Sequence, residues 1–239
     1  MSHIQKKRIG LLIPSSNTTQ EQEFSQILPE QISFHSARLT LKDGDLSSTI
    51  HILDELEQGV QSLRDADVDI IVFALTAPSS RNGLGFDLEL KNRIEDISGK
   101  PAITASTALI DALNELNCKS LAFCAPWGED VNAFATSFLV ENGFAVPATK
   151  ILGIRSNLEI GKLPSSSAYQ IAVDIDSSGV QAIMLACGNW MSMEVIERLE
   201  ILLEKPVLTT NQVSLWSTLK TLRLTSSLPG YGVLLRDHL

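Results

Sequence analysis

Two apolar runs constrain the fold more than any other feature. Ile70-Ile71-Val72-Phe73-Ala74-Leu75 and Ala182-Ile183-Met184-Leu185-Ala186 do not alternate polar with apolar residues. Strands written this way are buried on both faces, as in a parallel sheet covered by helices on each side. The rest of the chain agrees. Strand-like runs at 8–13, 33–39, 69–75, 102–104, 120–125, 149–153, 182–186 and 207–209 are separated by amphipathic stretches. Those stretches, at 19–27, 49–66, 86–98, 106–116, 130–142, 165–177, 193–203 and 213–222, carry helical spacing. Strand and helix in alternation predict βα units and a mainly parallel sheet.

The pattern occurs twice. Gly10-Leu11-Leu12-Ile13-Pro14 closes one strand, and Leu121-Ala122-Phe123-Cys124-Ala125-Pro126 closes another. From Pro14 to Leu75, the end of the next long buried strand, is 61 residues, and from Pro126 to Cys187 is also 61. Each half then continues with a helix and a Lys-Pro pair, Lys100-Pro101 or Lys205-Pro206. Each pair opens a short strand that runs into Thr104-Ala105-Ser106 or Thr209-Thr210-Asn211. The expected architecture is two pseudo-symmetric parallel-sheet α/β halves with the active site between them. The first half is residues 1–115 plus a returning tail, 216–239, and the second is 116–215.

Composition excludes several classes. With 239 residues, 44% hydrophobic and 20% charged, the chain is globular rather than disordered, collagenous or coiled-coil. No apolar run exceeds six residues, so no membrane span is expected. The start, Met1 to Arg8, is polar and basic without a signal-peptide core, so a cytoplasmic protein with reduced cysteines is expected. The net charge of −9, with no basic stripe, argues against nucleic acid as a partner. The four histidines are scattered and the three cysteines form no CxxC pair. HExxH, GxSxG, Walker A and GxGxxG motifs are absent, which disfavours a metal site, a hydrolase elbow and a nucleotide fold.

Ligands of parallel α/β sheets bind beyond the carboxyl ends of the strands. Here those ends are rich in hydroxyl and amide side chains: Ser15-Ser16-Asn17-Thr18-Thr19, Thr76-Ala77-Pro78-Ser79-Ser80, Thr104-Ala105-Ser106-Thr107, Gly188-Asn189 and Thr209-Thr210-Asn211. Loops of this kind bind a carboxylate through hydroxyls and helix N-termini without Lys or Arg. Ser, Thr and Asn equally favour helix caps; five such loops put the anion pocket on a par with capping. Cys187 ends a buried strand just before Gly188-Asn189, where a thiol can give or take a proton. Cys118 and Cys124 read as small buried hydrophobes.

The segment Arg8-Ile9-Gly10-Leu11-Leu12-Ile13-Pro14-Ser15-Ser16-Asn17-Thr18-Thr19 resembles the opening of bacterial maleate cis–trans isomerases. Leu185-Ala186-Cys187-Gly188-Asn189, followed by Lys205-Pro206-Val207, resembles the second-cysteine region of the same group. Glu129-Asp130-Val131-Asn132 and Leu228-Pro229-Gly230-Tyr231-Gly232 are similar to arylmalonate decarboxylase. The likeness runs over nearly the whole chain and implies the aspartate/glutamate racemase superfamily. It implies enzymes without cofactors that hold a small carboxylate or dicarboxylate between two halves. A homo-oligomer is compatible with it. Racemases and isomerases of the group use two cysteines. Cys187 matches the second, while the spacing puts Leu75 at the first, as in the decarboxylases, which also lack that cysteine. The resemblance also implies substrate contacts at Asn17, Thr76, Asn157 and the Gly188 N–H, and it puts Trp127 where a tyrosine is usual.

The reading that follows is decarboxylation of a malonate-type acid. One carboxylate binds to backbone N–H groups, Thr76 and Ser15 or Asn17. The other lies against apolar side chains such as Leu75, and Cys187 protonates the enediolate. The alternatives are an isomerase or racemase with a base other than cysteine, and a non-catalytic carboxylate-binding protein of the same fold.

Overall fold

In the computed structural model, the described residues are 6–41, 43 and 52–239. The first half contains β1 (Lys7–Pro14), α1 (Gln20–Ile27), β2 (Ile32–Leu39), α2 (Leu56–Asp65), β3 (Ile70–Phe73), α3 (Thr76–Ser80), α4 (Phe86–Ser98), β4 (Ala102–Thr104) and α5 (Ala105–Glu115). The second contains β5 (Ser120–Ala125), α6 (Glu129–Glu141), β6 (Ala145–Ile151), α7 (Asn157–Gly161), α8 (Ser165–Ile175) and β7 (Ala182–Leu185). It continues with a 3₁₀ turn (Met193–Val195), α9 (Ile196–Leu203), β8 (Val207–Thr209), α10 (Thr210–Thr221) and α11 (Gly232–Asp237). Residues 49–51 of the expected helix 49–66, and the N-terminal Met1 to Gln5, lie outside the described residues.

Two parallel four-stranded sheets form, ordered β2-β1-β3-β4 and β6-β5-β7-β8. The repeat read from spacing is therefore a repeat of topology, and it extends to single hydrogen bonds. Leu12 pairs with Phe73 in one sheet and Cys124 with Leu185 in the other. One step further, Ala74 N–H donates to Leu12 O (3.0 Å) and Ala186 N–H donates to Cys124 O (2.8 Å). Matching capping boxes, Thr104 with Thr107 and Thr209 with Gln212, open α5 and α10.

The doubly buried strands sort their side chains by parity. Ile9, Leu11, Ile13, Ile70, Val72 and Ala74 join the main core, which continues through the second half. Leu12, Ile71, Phe73 and Leu75 point the other way, into a smaller core with Val60 and Leu63 of α2 and Leu90 and Ile94 of α4. α5 and α10 pack against each other and join the halves.

Several boundaries differ from the sequence reading. β6 starts at Ala145 rather than at 149, because Pro147 sits on an edge strand where the register with β5 shifts. Residues 76–80 and 157–161, read as loop, are single-turn helices, and Pro78 is tolerated because it lies in a first turn. The tail contacts both halves: residues 216–221 finish α10, which packs on α5. α11 packs on α9, β8 and α10, and it is anchored by Gln212 Nε2 donating to Tyr231 O (2.7 Å). On the first-half side, Lys220 Nζ donates to Glu115 Oε2 (3.0 Å) and His238 Nδ1 lies 3.1 Å from Glu115 Oε1.

Candidate active site

The carboxyl ends of β1, β3, β5 and β7 meet at a small cavity of about 60 Å³ between the halves. Asn17, Leu75, Thr76, Trp127, Asn157, Cys187 and Gly188 line it, with Pro14, Leu41, Val131, Ile160 and Asn189 among their neighbours. Among the described residues the lining carries no charged side chain. The expected Ser15 is not in the lining. Its hydroxyl is used by the backbone of Leu41, accepting from the N–H (3.2 Å) and donating to the carbonyl (3.4 Å). Ser15 thus shapes the loop after β1, because a strand-end hydroxyl beside a free backbone N–H makes the local bond first.

Cys187 follows β7 with φ of 140°, a conformation that costs a non-glycine residue about 1–3 kcal/mol. Its N–H donates to Thr210 Oγ1 (3.0 Å), and Thr210 Oγ1 is also 2.9 Å from Thr76 Oγ1. The two hydroxyls, one from each half, brace the backbone that presents the thiol. Burial pushes the thiol pKa up to about 12, against a downward pull from the N–H groups of Asn189 and Trp190. At neutral pH the group is therefore a protonated thiol. Leu75, at the equivalent place in the first half, has ordinary extended backbone (φ −119°) and opens α3.

The asparagines act as brackets. Asn17 Oδ1 accepts from the N–H groups of Thr19 and Gln20 (both 3.0 Å), and its Nδ2 donates to Gly188 O (3.2 Å). Arg38 Nη1 donates to Asn17 O (2.8 Å) and fixes that loop from outside. Asn157 Nδ2 donates to Ser16 Oγ (2.8 Å). Asn189 joins three segments: its Oδ1 accepts from Thr18 N–H (2.8 Å) and its Nδ2 donates to Asn157 O (2.7 Å). Trp127 lines the cavity, and its Nε1 is buried without a hydrogen-bond partner. Cys118 and Cys124 are buried away from the lining, and burial raises both thiols.

Sequence reasoning put Asn189, Thr210 and Asn211 in its polar strand-end loops without giving them individual roles, and it missed Glu23. Thr210 and Asn211 carried a signal, since they follow the second capping threonine. Glu23 had none, because an acidic residue in the first turn of a helix is ordinary. Among the described residues no group of three or more His, Cys, Asp or Glu is placed to hold a metal ion. No described helix is long and apolar enough to cross a membrane.

Comparison with known proteins agrees with this geometry. The family model for arylmalonate decarboxylase matches residues 9–235. A maleate isomerase of Pseudomonas putida is 30% identical over 241 residues, covering 95% of this chain and 96% of the relative. The arylmalonate decarboxylase of Bordetella bronchiseptica is 21% identical over 230 residues, 94% of each chain. The crystal structure of a maleate isomerase from Pseudomonas putida S16 with maleate superposes with a TM-score of 0.93 at 25% identity, over 97% of this chain and 98% of that one. An arylmalonate decarboxylase variant in liganded form shares the fold, with a TM-score of 0.91. The fold is thus the aspartate/glutamate racemase-like α/β fold, with a thiol and a leucine at its two pseudo-equivalent strand ends. The chain belongs to the arylmalonate decarboxylase family of enzymes.

Proposed function

We propose that the chain decarboxylates a malonate-type acid, without a cofactor, and that Cys187 delivers the proton. The observation that carries this reading is Leu75: it occupies the strand end equivalent to Cys187 and lines the same cavity, so one thiol faces the ligand. Two-thiol chemistry is then closed, and a single proton delivered to one face is what remains.

One carboxylate is retained by Thr76, the Gly188 N–H and the unpaired Trp127 Nε1. The other lies against Leu75 and its apolar neighbours. The bond from the α-carbon to that second carboxylate breaks and CO₂ leaves. The electron pair moves onto the α-carbon and into the retained carboxylate as an enediolate, held by preorganised donors. Cys187 S–H then protonates the α-carbon, and its thiolate recovers a proton from water. A thiol pKa of about 12 suits a donor and not a nucleophile, which requires the thiolate.

A maleate-type isomerisation is the second reading. The 30% identity to a maleate isomerase favours it, together with Asn17 and Asn157 at the cavity. A screen of substituted malonates, maleate and amino acids for CO₂ release or isomer change separates the two. We expect CO₂ release, and a fall of at least about 10²-fold in Cys187→Ala with the fold intact, the usual scale for losing a general acid. Conversion of maleate to fumarate without CO₂ release supports the second reading. Binding without turnover, or full activity in Cys187→Ala, removes the mechanism.

A further inference from the structure

Behind the cavity lies a buried polar chain that crosses between the halves. Glu23, in α1, is 3% exposed. Its Oε1 accepts from the N–H groups of Ser192 (2.8 Å) and Met193 (2.9 Å). Its Oε2 accepts from Asn211 Nδ2 (2.6 Å), at the start of α10. The same Asn211 Nδ2 donates to Gly188 O (3.1 Å), which also receives Asn17 Nδ2 (3.2 Å). One carbonyl thus takes two amide donors, one from each half of the molecule.

The chemistry of the partners fixes the direction of this chain. An ionised carboxylate accepts only, and so does a carbonyl. Asn211 sits between one of each, so its NH₂ must face both. Its Oδ1 is then left buried without a partner. An orphaned buried acceptor lowers stability, so packing alone does not account for the arrangement. Burial holds the Glu23 carboxyl above the ordinary carboxylate range, with its three donors offsetting part of the rise and Glu194 adding to it.

The Gly188–Asn189 peptide is planar, and in a trans peptide the C=O and the following N–H point in opposite directions. The Asn189 N–H faces the Cys187 thiol and opposes the effect of burial on it. Holding Gly188 O from behind therefore aims the Asn189 N–H at the sulfur in front. We propose that Glu23 and Asn211 are positioning residues for the Cys187 thiol, acting through the Gly188–Asn189 peptide. Glu23 also ties down Ser192 and Met193, so the segment after the thiol is gripped at both ends. The inference concerns the thiol itself and is independent of which reaction the site performs.

The test uses no substrate. Iodoacetamide alkylation of Cys187 is followed by peptide-resolved mass spectrometry between pH 8 and 10, with folding checked by circular dichroism. Glu23→Gln keeps the shape but sets an NH₂ against either Asn211 NH₂ or the Ser192 and Met193 N–H groups. We expect Cys187 to react about three- to tenfold more slowly, as the thiolate becomes rarer by half to one pH unit. Asn211→Ala should slow it similarly. A merely structural role moves the rate the opposite way, because loosening exposes a buried thiol. An unchanged or faster rate in either folded single variant overturns the proposal. If Glu23→Gln does not fold, Asn211→Ala decides alone. Failure here leaves the decarboxylase reading intact, and failure of that reading leaves these rates unaffected.

Discussion

Trp127 shows how one residue can mark what a pocket awaits. Its ring is buried beside Phe123, with ring centroids 6.4 Å apart, and its Nε1 has no acceptor. An unsatisfied buried donor costs about 1–3 kcal/mol, which a ligand oxygen offsets on arrival. An indole N–H donates and never accepts, so it selects an unprotonated oxygen. Trp127→Phe should therefore leave thermal stability equal or higher while weakening dicarboxylate binding by about tenfold, the worth of one such bond. Calorimetric titration with small dicarboxylates and a melting curve check both halves of the claim. Unchanged affinity means that the indole serves packing alone. At this scale the sequence was informative where chemistry had a distinctive residue. Cys187, Asn17, Asn157, Thr76 and Trp127 all reach the cavity. It misled at Ser15 because a strand-end hydroxyl takes the nearest backbone partner first. Both hydroxyls of this turn meet Leu41 O, and Ser16 Oγ also accepts from Asn157 Nδ2.

Among the elements, equivalent residues in the two halves do unequal work, and the difference is measurable. Glu95 Oε1 accepts from Ala102 N–H (3.0 Å) at the start of β4 and pairs with Lys91 Nζ (3.0 Å) in a partly exposed ion pair worth little. Glu200 makes the matching bond to Val207 N–H (3.1 Å) at β8, and its Oε2 also accepts from Val233 N–H (2.8 Å) at the head of α11. A hydrogen bond to a charged group is worth about 1.5–3 kcal/mol. Glu200→Ala should therefore destabilise the protein by about one such bond more than Glu95→Ala, in urea unfolding of the two variants. Equal losses would mean that α11 is held by its apolar contacts alone. The strands were legible because β3 and β7 are short, wholly apolar and flanked by turn residues. The helices α3, α7 and α11 were not. At five, five and six residues they are too short to display a helical period, and Pro78 and Gly232 read as breakers. The packing of α11 on the second half was illegible for a related reason: its anchor is a carboxylate 33 residues upstream, which no local pattern reveals.

At the scale of the whole molecule, the pseudo-twofold arrangement of the halves makes the site and also breaks its symmetry. Both sheets end at the same cavity, α5 and α10 hold them together, and hydroxyls from both halves meet at Thr76 and Thr210. Against that shared frame, position 75 carries a leucine where its counterpart, Cys187, carries a thiol. Leu75 belongs to the apolar layer with Leu12, Ile71 and Phe73, whereas Cys187 belongs to the main core. With one proton donor on one side, a prochiral substrate should yield a single enantiomer, and solvent deuterium should enter from one face. Leu75→Cys supplies the second donor. We expect the variant to lose decarboxylation, because the apolar wall against the departing carboxylate is gone, and to gain measurable racemisation of a suitable α-substituted acid. The shorter side chain should also cost about 1–3 kcal/mol of stability through lost packing. Chiral chromatography after long incubation in D₂O, for wild type and Leu75→Cys, reads both outcomes. A variant that decarboxylates as before shows that the apolar wall does not drive CO₂ loss. Racemic product from the wild type shows a second proton path already present, and position 75 is then not where two-thiol chemistry was broken.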